Sequence, residues 1–462
     1  MSFDTLSLPV PARSLASPWT VFGLVAVAVF LVSLDATIVL AAFPALRAAF
    51  PEVTPATLSW ALNAYTIVYA ALLVPAGRFA DTHGRRRVFL AGVALFGTAS
   101  ALAGLAPDPV WLIGFRVLQA VGAAALTPAS LALVLAAFPP EKRAVAVGLW
   151  GAVGALAAAF GPAVGGWLVE AAGWQAVFLV NVPVVAVALW RGAARLEESA
   201  SLDTSGKIDL PGIALLAAGV GAIVLGLVQA DHWRFGAAAG TSLGGMILLA
   251  LFVVWARGRD GAALDLSLFR EPSYAWTNAA SLVFGAAFSM MFLTFFLFLT
   301  GPWGFSLGAA GLLVTPGPLA VVPVAILAGR IAGRIGHRPL LVAGGLVYAA
   351  SNAWFLMRLG ATPAISDWIV GLVIGGIGVG LVLPALSGAA VARLGPQHFG
   401  VGNAANAAIR QMGGALGAAG AVALAGQAGA SLDAFQVVYA ILVAGGLATA
   451  LLSLPINTKP RG

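Results

Sequence analysis

Long apolar segments that carry almost no charge recur along the whole chain, and they restrict its fold more than any other feature. Each segment is close to the ~20 residues that a membrane-spanning helix requires. Charged residues, 24 basic and 17 acidic, make up only 9% of the 462 positions, where a soluble domain carries about 25%. So few charges exclude a soluble enzyme, a nucleic-acid-binding protein and a disordered chain, so the sequence predicts an all-α polytopic membrane protein.

Hydropathy, together with the positions of proline, glycine and charge, predicts fourteen transmembrane helices. The first apolar segment is too long for the core of a signal peptide, so it is interpreted as a retained helix. The predicted spans are 19–43, 56–76, 88–106, 109–137, 144–169, 175–191, 210–230, 240–256, 275–300, 307–329, 339–358, 364–392, 400–427 and 434–455.

The distribution of basic residues tests this assignment. With the N-terminus placed inside and the sides alternating, 19 of the 24 basic residues fall in inside loops and tails. Only Arg47, Arg234 and Arg358 fall outside, and Arg116 and Arg410 fall within spans. Inside loops of membrane proteins carry an excess of Lys and Arg. The net charge of +7 is therefore a topology signal, and both termini are expected in the cytoplasm.

An internal repeat divides the chain into two halves. Residues 77–86 align without gaps on residues 329–338 at an offset of 252, with five of ten positions identical. Parallel repeats with a site between them near the membrane midplane are typical of transporters. The predicted plan is a tail at 1–18, a six-helix bundle at 19–191, a loop at 192–209, two inserted helices at 210–256, a loop at 257–274, a second six-helix bundle at 275–455 and a tail at 456–462.

Sequence patterns of other chemistries are missing. The chain has no cysteine and only four histidines, widely separated, so thiolate and transition-metal sites are not expected. No nucleotide-binding P-loop occurs, so ATP is not expected as the energy source. The chain is therefore not predicted to be an enzyme, and no cofactor is expected.

The segment after the second predicted span combines glycines with one acid and several arginines. We call Gly77, Asp81, Gly84, Arg85 and Arg86 the latch motif. The Asp81 carboxylate is expected at the N-terminus of the third helix, where the helix dipole favours negative charge. The segment resembles the loop signature of the major facilitator superfamily, which implies a cytoplasmic latch that holds one transport conformation and breaks in the other. The alternative is an inside loop with incidental glycines.

A second pattern lies in the fifth predicted span. It comprises Gly148, Gly161, Pro162, Gly165 and Gly166. Small residues let helices approach closely and proline removes a backbone hydrogen bond, so a close, bendable contact between the two halves is predicted. The pattern resembles the motif of the antiporter branches of the superfamily. Ordinary glycine-rich packing is the alternative.

The first predicted span reads Leu-Asp-Ala-Thr-Ile-Val-Leu-Ala-Ala-Phe-Pro at 34–44. It is similar to the first-helix motif of the fourteen-helix drug:proton antiporters, the relatives of quaternary-ammonium and multidrug exporters, although Leu40 replaces the usual asparagine. The resemblance extends over about residues 19–455. It implies a major facilitator fold and an exporter that works by alternating access, with the proton gradient as its energy source.

Three ionisable side chains are predicted well inside spans: Asp35, Arg116 and Arg410. Each would cost at least ~2.5–3.5 kcal/mol facing lipid at the bilayer centre, so each is expected to face the protein interior. Burial favours a neutral acid, whereas a nearby cation favours the carboxylate. Asp35 and Arg116 are therefore the predicted proton-coupling residues, with a permanent structural ion pair as the alternative.

Candidate residues for a substrate cavity form two sets. Asn403, Asn406 and Arg410 share one helix face at i, i+3 and i+7, and they either line a cavity or hydrogen-bond between helices. Aromatic, methionine and amide side chains either form a pocket or pack the bundle. The complete set is Tyr65, Gln119, Phe288, Met291, Phe292, Asn403, Asn406 and Arg410.

The sequence thus predicts a proton-coupled antiporter that exports lipophilic or cationic drug-like compounds from a bacterium, in its cytoplasmic membrane. The expected partners are a lipophilic or monocationic small molecule, protons and membrane lipid, without nucleic acid, and a monomer is expected. A single exchanging carboxylate favours neutral or monovalent substrates over dications. Two alternatives stay open: a dedicated exporter of a metabolite, antibiotic, peptide or lipid on the same fold, and a non-transporting membrane sensor or scaffold.

Overall fold

The computed structural model describes residues 17–198, 209–229, 233, 235–259, 262–395, 398–425 and 431–459. Within these ranges the chain is helical and contains no strand. Most of the predicted tail at 1–18, the central part of the predicted loop at 192–209 and residues 460–462 lie outside the described residues. A short 3-10 helix spans Leu266–Arg270, and the α-helices are α1 (Pro18–Ala49), α2 (Pro55–Leu58), α3 (Trp60–His83), α4 (Arg85–Gly104), α5 (Pro109–Ala137), α6 (Pro140–Ala172), α7 (Ala176–Leu179), α8 (Asn181–Arg195), α9 (Leu210–Val228), α10 (Phe235–Ala256), α11 (Pro272–Thr300), α12 (Leu307–Val314), α13 (Pro316–Ile335), α14 (Arg338–Arg358), α15 (Ile365–Val391), α16 (Phe399–Ala425) and α17 (Leu432–Ser453).

The all-helical membrane fold is confirmed. In the described part of the chain, twelve helices are long and apolar enough to cross a membrane, with α7 and α8 counted as one span and α12 and α13 as another. Two further long helices, α6 and α16, occupy the places of predicted spans five and thirteen. α16 carries Asn403, Asn406 and Arg410, which lower its hydropathy. The count of fourteen spans stays a prediction.

The helix starts follow directly from the sequence. Proline occupies the first helical position of α1, α5, α6, α11 and α13, where its fixed φ suits the helix and its missing N–H is not needed. Asp108 caps α5 by accepting hydrogen bonds from the backbone N of Val110 (2.9 Å) and of Trp111 (3.1 Å). Local capping thus sets where the helices begin, whereas interhelical packing sets where they lie.

Two bundles form from helices that pack side by side. In the first bundle α1 packs on α6, and α5 packs on both α3 and α4. In the second, α11 packs on α16 and α17, and α15 packs on α13 and α14. The second bundle has an aromatic core that includes Phe298, Phe355, Trp368 and Tyr439. Each half of the chain therefore has its own interior.

The bundles meet mainly at two helix crossings, which we call the seam: α3 against α16, and α6 against α13. A Cβ added at Gly77 would lie 2.6 Å from Cβ of Ala404 and 3.0 Å from the carbonyl O of Gly400. A Cβ at Gly148 would lie 2.8 Å from the carbonyl O of Ala325 and 3.6 Å from Cα of Gly329. The repeat offset of 252 residues relates Gly77 to Gly329 and Gly148 to Gly400. The two crossings are therefore symmetry-related copies of one glycine contact.

The inserted helices pack as a pair beside one of these crossings. α9 packs on α10, and it contacts both α3 and α16. The Asp209 carboxylate at the start of α9 accepts hydrogen bonds from Nε1 of Trp255 (3.0 Å) and from the backbone N of Gly212 and of Ala263 (3.0 and 3.1 Å). Burial opposes the charged form, but these bonds outweigh it and lower the pKa of Asp209. The ionised carboxylate therefore joins both inserted helices to the following loop.

Candidate functional site

A buried ion pair lies inside the first bundle. The Asp35 side chain on α1 is 0% exposed and that of Arg116 on α5 is 1% exposed. Arg116 Nη1 donates to Asp35 Oδ2 at 2.5 Å, and Arg116 Nε donates to the carbonyl O of Ala61 at 2.8 Å. The two predicted charges thus lie together in the protein interior, where neither meets lipid.

Amide and hydroxyl groups complete the surroundings of Asp35. Gln119 Nε2 donates to Asp35 Oδ1 at 2.8 Å, and Asn181 Nδ2 approaches the same oxygen at 3.4 Å. Asn181 Nδ2 also donates to Ser100 Oγ (2.9 Å), which in turn donates to the carbonyl O of Phe178 (3.0 Å). The carboxylate is therefore held by donors from α5 and α8.

Tyr65 belongs to this network as well. The Arg116 guanidinium carbon lies 4.1 Å from the centroid of the Tyr65 ring, a cation–π distance. The Tyr65 ring stacks on Tyr69 with centroids 6.0 Å apart, and Tyr69 Oη donates to Thr127 Oγ1 at 3.3 Å. The buried Tyr65 Oη has no hydrogen-bond partner. Tyr65 and Gln119, predicted as cavity residues, thus lie beside the ion pair.

The latch motif connects the two bundles through Asp81. Arg85 Nη2 donates to Asp81 Oδ1 at 2.9 Å, and the backbone N of Val401 donates to Asp81 Oδ2 at 2.9 Å. The expected position of Asp81 at the N-terminus of the third helix is wrong, because Asp81 lies in the last turn of α3. Its carboxylate instead caps α16 in the other bundle, where free backbone N–H groups are available. We call this end of the molecule the latch end.

A second carboxylate caps a helix at the latch end. Glu198 accepts hydrogen bonds from the backbone N of Arg86 (3.0 Å) and of Arg87 (3.2 Å) at the start of α4. Gly84 has φ +106, and a Cβ there would lie 2.6 Å from Cδ of Glu198. Arg86 Nη2 also donates to the carbonyl O of Ala193 at 2.7 Å. Glu198 therefore accepts hydrogen bonds from backbone N–H groups in the first turn of α4.

The antiporter pattern on α6 divides between two contacts. Gly148 faces α13 across the seam, as predicted for a contact between the halves. A Cβ at Gly161 would lie 2.8 Å from Cβ of Thr37 on α1. That contact lies within the first bundle, because the turn of α6 at Gly161 faces α1 and not the second bundle. Gly165 is buried and Gly166 has nothing within 4 Å of an added Cβ. α6 continues through Pro162, whose side chain lies outside the described part.

Polar residues of α16 form a cluster in the second bundle. Asn406 Nδ2 donates to Asn278 Oδ1 (3.1 Å) and to Ser281 Oγ (2.8 Å) on α11. Arg410 Nη1 donates to Asn406 Oδ1 at 3.4 Å. Asn406 therefore connects α16 to α11 within the second bundle. The Arg410 side chain is only partly buried. Asn403 is 2% exposed and its Nδ2 has no hydrogen-bond partner.

The apolar cavity candidates lie on α11. Met291 is 6% exposed and packs in the core of the second bundle. Phe288 and Phe292 are half-buried, with ring centroids 6.4 Å apart. A Cβ at Gly285, one turn earlier, would lie 3.0 Å from Cγ of Arg410. Phe288 therefore lies on α11 one turn after Gly285, the residue that packs against Arg410.

Relatives of known name agree with the predicted family. Residues 25–297 and 277–462 match the family model of the Major Facilitator Superfamily. The chain is 34% identical over 397 residues to the multidrug resistance protein Stp of Mycobacterium tuberculosis, with 84% of this chain and 72% of that protein covered. It is 33% identical over 429 residues to the probable actinorhodin transporter of Streptomyces coelicolor, with 89% and 74% covered.

A solved structure shows the same fold. The crystal structure of the human organic anion transporter MFSD10 (TETRAN) superposes with a TM-score of 0.67, covering 94% of this chain and 100% of that chain at 16% identity. Together with the family match, this confirms the predicted resemblance to the drug-exporting branch and its fold. The chain belongs to the major facilitator superfamily, and it is an integral membrane transporter rather than an enzyme.

Proposed function

We propose that this protein is a proton-coupled exporter of small drug-like molecules, with Asp35 as the group that binds and releases the proton. The observation that carries the proposal is the fully buried Asp35–Arg116 pair inside a bundle of a major facilitator transporter. A buried charge pair contributes little net stability, because desolvation offsets the attraction. An ionisable residue inside a membrane bundle is therefore taken first as functional.

The neighbours of Asp35 support both of its protonation states. In the ionised state its two oxygens accept from Arg116, Gln119 and Asn181, as the geometry shows. A protonated carboxyl needs an acceptor for its O–H. Asn181 Oδ1 is buried and has no partner, so rotation of this amide presents an acceptor where it now presents a donor. Protonation of Asp35 would thus exchange the hydrogen bonds of Asn181 and release Arg116.

A route from this pair to the seam supports coupling to alternating access. Asp35 lies on α1, which packs along α6. Towards its N-terminus, α6 crosses α13 at Gly148. The latch is closed, since Asp81 binds Val401. A change in the packing of α1 on α6 after protonation would therefore act on one of the main contacts between the bundles.

The free energy available from one exchanged proton limits the charge of the substrates that can be exported. One pH unit provides ~1.4 kcal/mol per exchanged proton. Exchange of one proton for a monocation is electroneutral, whereas exchange for a neutral molecule also uses the membrane potential, ~2.3 kcal/mol per 100 mV. Neutral and monovalent substrates are thus transported uphill, and a dication is opposed by the potential.

The test is transport in proteoliposomes with an imposed pH gradient. Wild-type protein is expected to accumulate the cationic dye rhodamine B ethyl ester against its gradient, and Asp35→Asn is expected to abolish the response to pH. Asp367→Asn is the matched control, because Asp367 forms an ion pair with the exposed Arg358 far from this network. Accumulation driven by pH in Asp35→Asn would refute the proposal.

A second candidate is export of one dedicated metabolite. Identity to the probable actinorhodin transporter, 33%, nearly equals identity to the multidrug resistance protein, 34%. Growth assays of cells that express the protein, challenged with a panel of unrelated antibiotics, separate the two functions. Protection against several chemical classes supports drug export, and protection against a single class supports dedicated export.

A further inference from the structure

Arg410 is a cation within the predicted thirteenth span, and it has no acidic partner in the described part of the chain. It begins the fourth turn of α16, about 17 Å along the axis from Phe399 at 1.5 Å per residue. That distance places it near the middle of a ~30 Å hydrocarbon layer. The ion pairs of the described residues are Asp81–Arg85, Arg87–Glu198, Asp35–Arg116 and Arg358–Asp367.

The two intramembrane arginines differ in how well their donors are satisfied. Arg116 is 1% exposed and donates to a carboxylate, an amide oxygen and a backbone carbonyl at 2.5–2.8 Å. Arg410 has one side-chain hydrogen bond, to Asn406 at 3.4 Å, and is partly exposed. A guanidinium carries five N–H donors. Arg116 is thus bound as a structural or coupling group, whereas most donors of Arg410 are not bound.

Arg410 lies near a polar residue of the other bundle. Tyr69 on α3 interacts electrostatically with Arg410 on α16, and α3 and α16 are the helices of one crossing between the bundles. Tyr69 is partly exposed as well. Two polar side chains from opposite bundles therefore lie near each other at the crossing of α3 and α16.

Two other polar groups on α3 and α16 also lack hydrogen-bond partners. Asn403 Nδ2, on the face of α16 that carries Arg410, is buried without an acceptor. On α3, one turn before Tyr69, Tyr65 Oη is buried and unpartnered. Both groups donate hydrogen bonds. The two helices of this crossing thus carry two unpartnered hydrogen-bond donors in addition to the cation of Arg410.

We infer that the preferred substrates carry an acidic oxygen, a carboxylate or phenolate on an apolar ring system, and that Arg410 binds this group. An unpaired cation at the bilayer centre is costly, and a bound acidic oxygen provides the counter-charge with a charge-assisted, often bidentate hydrogen bond. The inference rests on the proposed export function and narrows its substrate class. Zwitterions that are neutral overall satisfy both the single-proton energetics and Arg410.

The test compares two dyes that differ only in the acidic group. Rhodamine B carries a free carboxylate on a cationic xanthene, and in its ethyl ester the carboxylate is blocked. The dissociation constants of both dyes for the purified protein in detergent are measured by fluorescence anisotropy, without a pH gradient. Wild type is expected to prefer rhodamine B. Arg410→Gln is expected to reduce that preference about tenfold, the loss of one charge-assisted hydrogen bond.

Two further variants make the result specific. Arg410→Lys keeps the charge but not the planar fork, so it is expected to retain part of the preference, and it decides the question if Arg410→Gln does not fold. Arg47→Gln is the control, because Arg47 is exposed in the last turn of α1, and it is expected to keep the full preference. Equal affinity of wild type for the two dyes, no measurable affinity for rhodamine B, or an unchanged preference in Arg410→Gln and Arg410→Lys would overturn the inference.

The binding test and the test of proton coupling fail separately. Dye preference is measured at equilibrium and does not depend on Asp35 transporting a proton. Loss of pH-driven transport in Asp35→Asn with an unchanged dye preference in Arg410→Gln would reject only the role of Arg410. The reverse pattern would reject only proton coupling at Asp35.

Discussion

Substitution of Asp81 by asparagine is expected to open the latch end while leaving each bundle folded. In the structure the Asp81 carboxylate accepts from Arg85 within the first bundle and from the backbone N of Val401 in the second. Only the bond to Val401 joins the bundles. The bond to Arg85 is an i, i+4 contact on adjoining helices and is retained when the bundles separate, so it cancels in the comparison of closed and open states.

The magnitude follows from that one contact. Asparagine keeps a carbonyl oxygen for the Val401 N–H, so the loss is the difference between a charged and a neutral acceptor, ~1 kcal/mol. The favourable interaction of a carboxylate with the N-terminus of α16 adds about 1 kcal/mol. The sum of about 2 kcal/mol corresponds to a roughly 30-fold change in the ratio of open to closed molecules.

The absence of cysteine from the chain makes the assay direct. Cysteines introduced as His83→Cys and Ala392→Cys would lie at exposed positions of the two bundles at the latch end. Spin labels on them report the separation by double electron–electron resonance. Wild type is expected to show mainly the short distance, and Asp81→Asn to raise the weight of the longer distance about 30-fold relative to the shorter, the factor given by the loss at Val401.

Asp108→Asn is the matched control, because Asp108 also caps a helix with its carboxylate but within one bundle. It is expected to leave the distance distribution unchanged. The same distance distribution in Asp81→Asn and Asp108→Asn would contradict a role of the Asp81–Val401 bond in holding the bundles together.

Two further predictions concern stability. Gly161→Ala is expected to lower the thermal midpoint of the purified protein, because the added methyl would overlap Thr37 at a typical cost of ~1–3 kcal/mol. Gly166→Ala is the control and is expected to change the midpoint little, because nothing lies within 4 Å of a Cβ added there. Equal midpoints for the two variants would contradict the packing of Gly161 on Thr37. Burial lowers the pKa of His337, in the loop between α13 and α14, from 6.5 to about 4. Between pH 6.5 and pH 4 the unfolded chain binds more protons at this histidine than the folded protein does. The free energy of unfolding therefore falls as the pH falls through this range, by up to ~3 kcal/mol. His337→Gln is expected to remove this part of the pH dependence of the thermal midpoint, and an unchanged slope would contradict it.

The buried charges could be predicted because charge is scarce. Only three ionisable side chains fall well inside apolar segments, and membrane burial requires each of them to face the interior. Asp35 and Arg116 then become partners by charge alone. Arg410 was found by the same argument, but the sequence offered no sign that it lacks a counter-charge. That conclusion required the positions of the acids in three dimensions.

Partners that are backbone groups could not be predicted. Asp81 binds the N–H of Val401, 320 residues away, and Glu198 binds the N–H groups of Arg86 and Arg87. Every residue except proline carries such a donor, so no side-chain pattern identifies which one a carboxylate will meet. The acceptor role proposed for Asn181 could not be predicted either, because it depends on a side-chain oxygen that has no partner in the structure.

The internal repeat relates the two glycine crossings to each other, which the latch motif and the antiporter pattern do not do by themselves. The offset of 252 that aligns Gly77 with Gly329 also takes Gly148 to Gly400. A two-fold related pair of crossings then follows, Gly77 on Gly400 and Gly148 on Gly329, as the structure has it. The signal lay in the sequence, although Gly400 belongs to neither motif.

Proton release on ligand binding shows whether Asp35 is the group that exchanges the proton. Purified protein, equilibrated in weakly buffered detergent solution at pH values between 5 and 8, is mixed with rhodamine B ethyl ester, and released protons are counted with a pH indicator. Wild type is expected to release up to one proton per bound dye, and Asp35→Asn that still binds the dye is expected to release none. Equal release from both proteins would contradict the assignment of Asp35 as the coupling group.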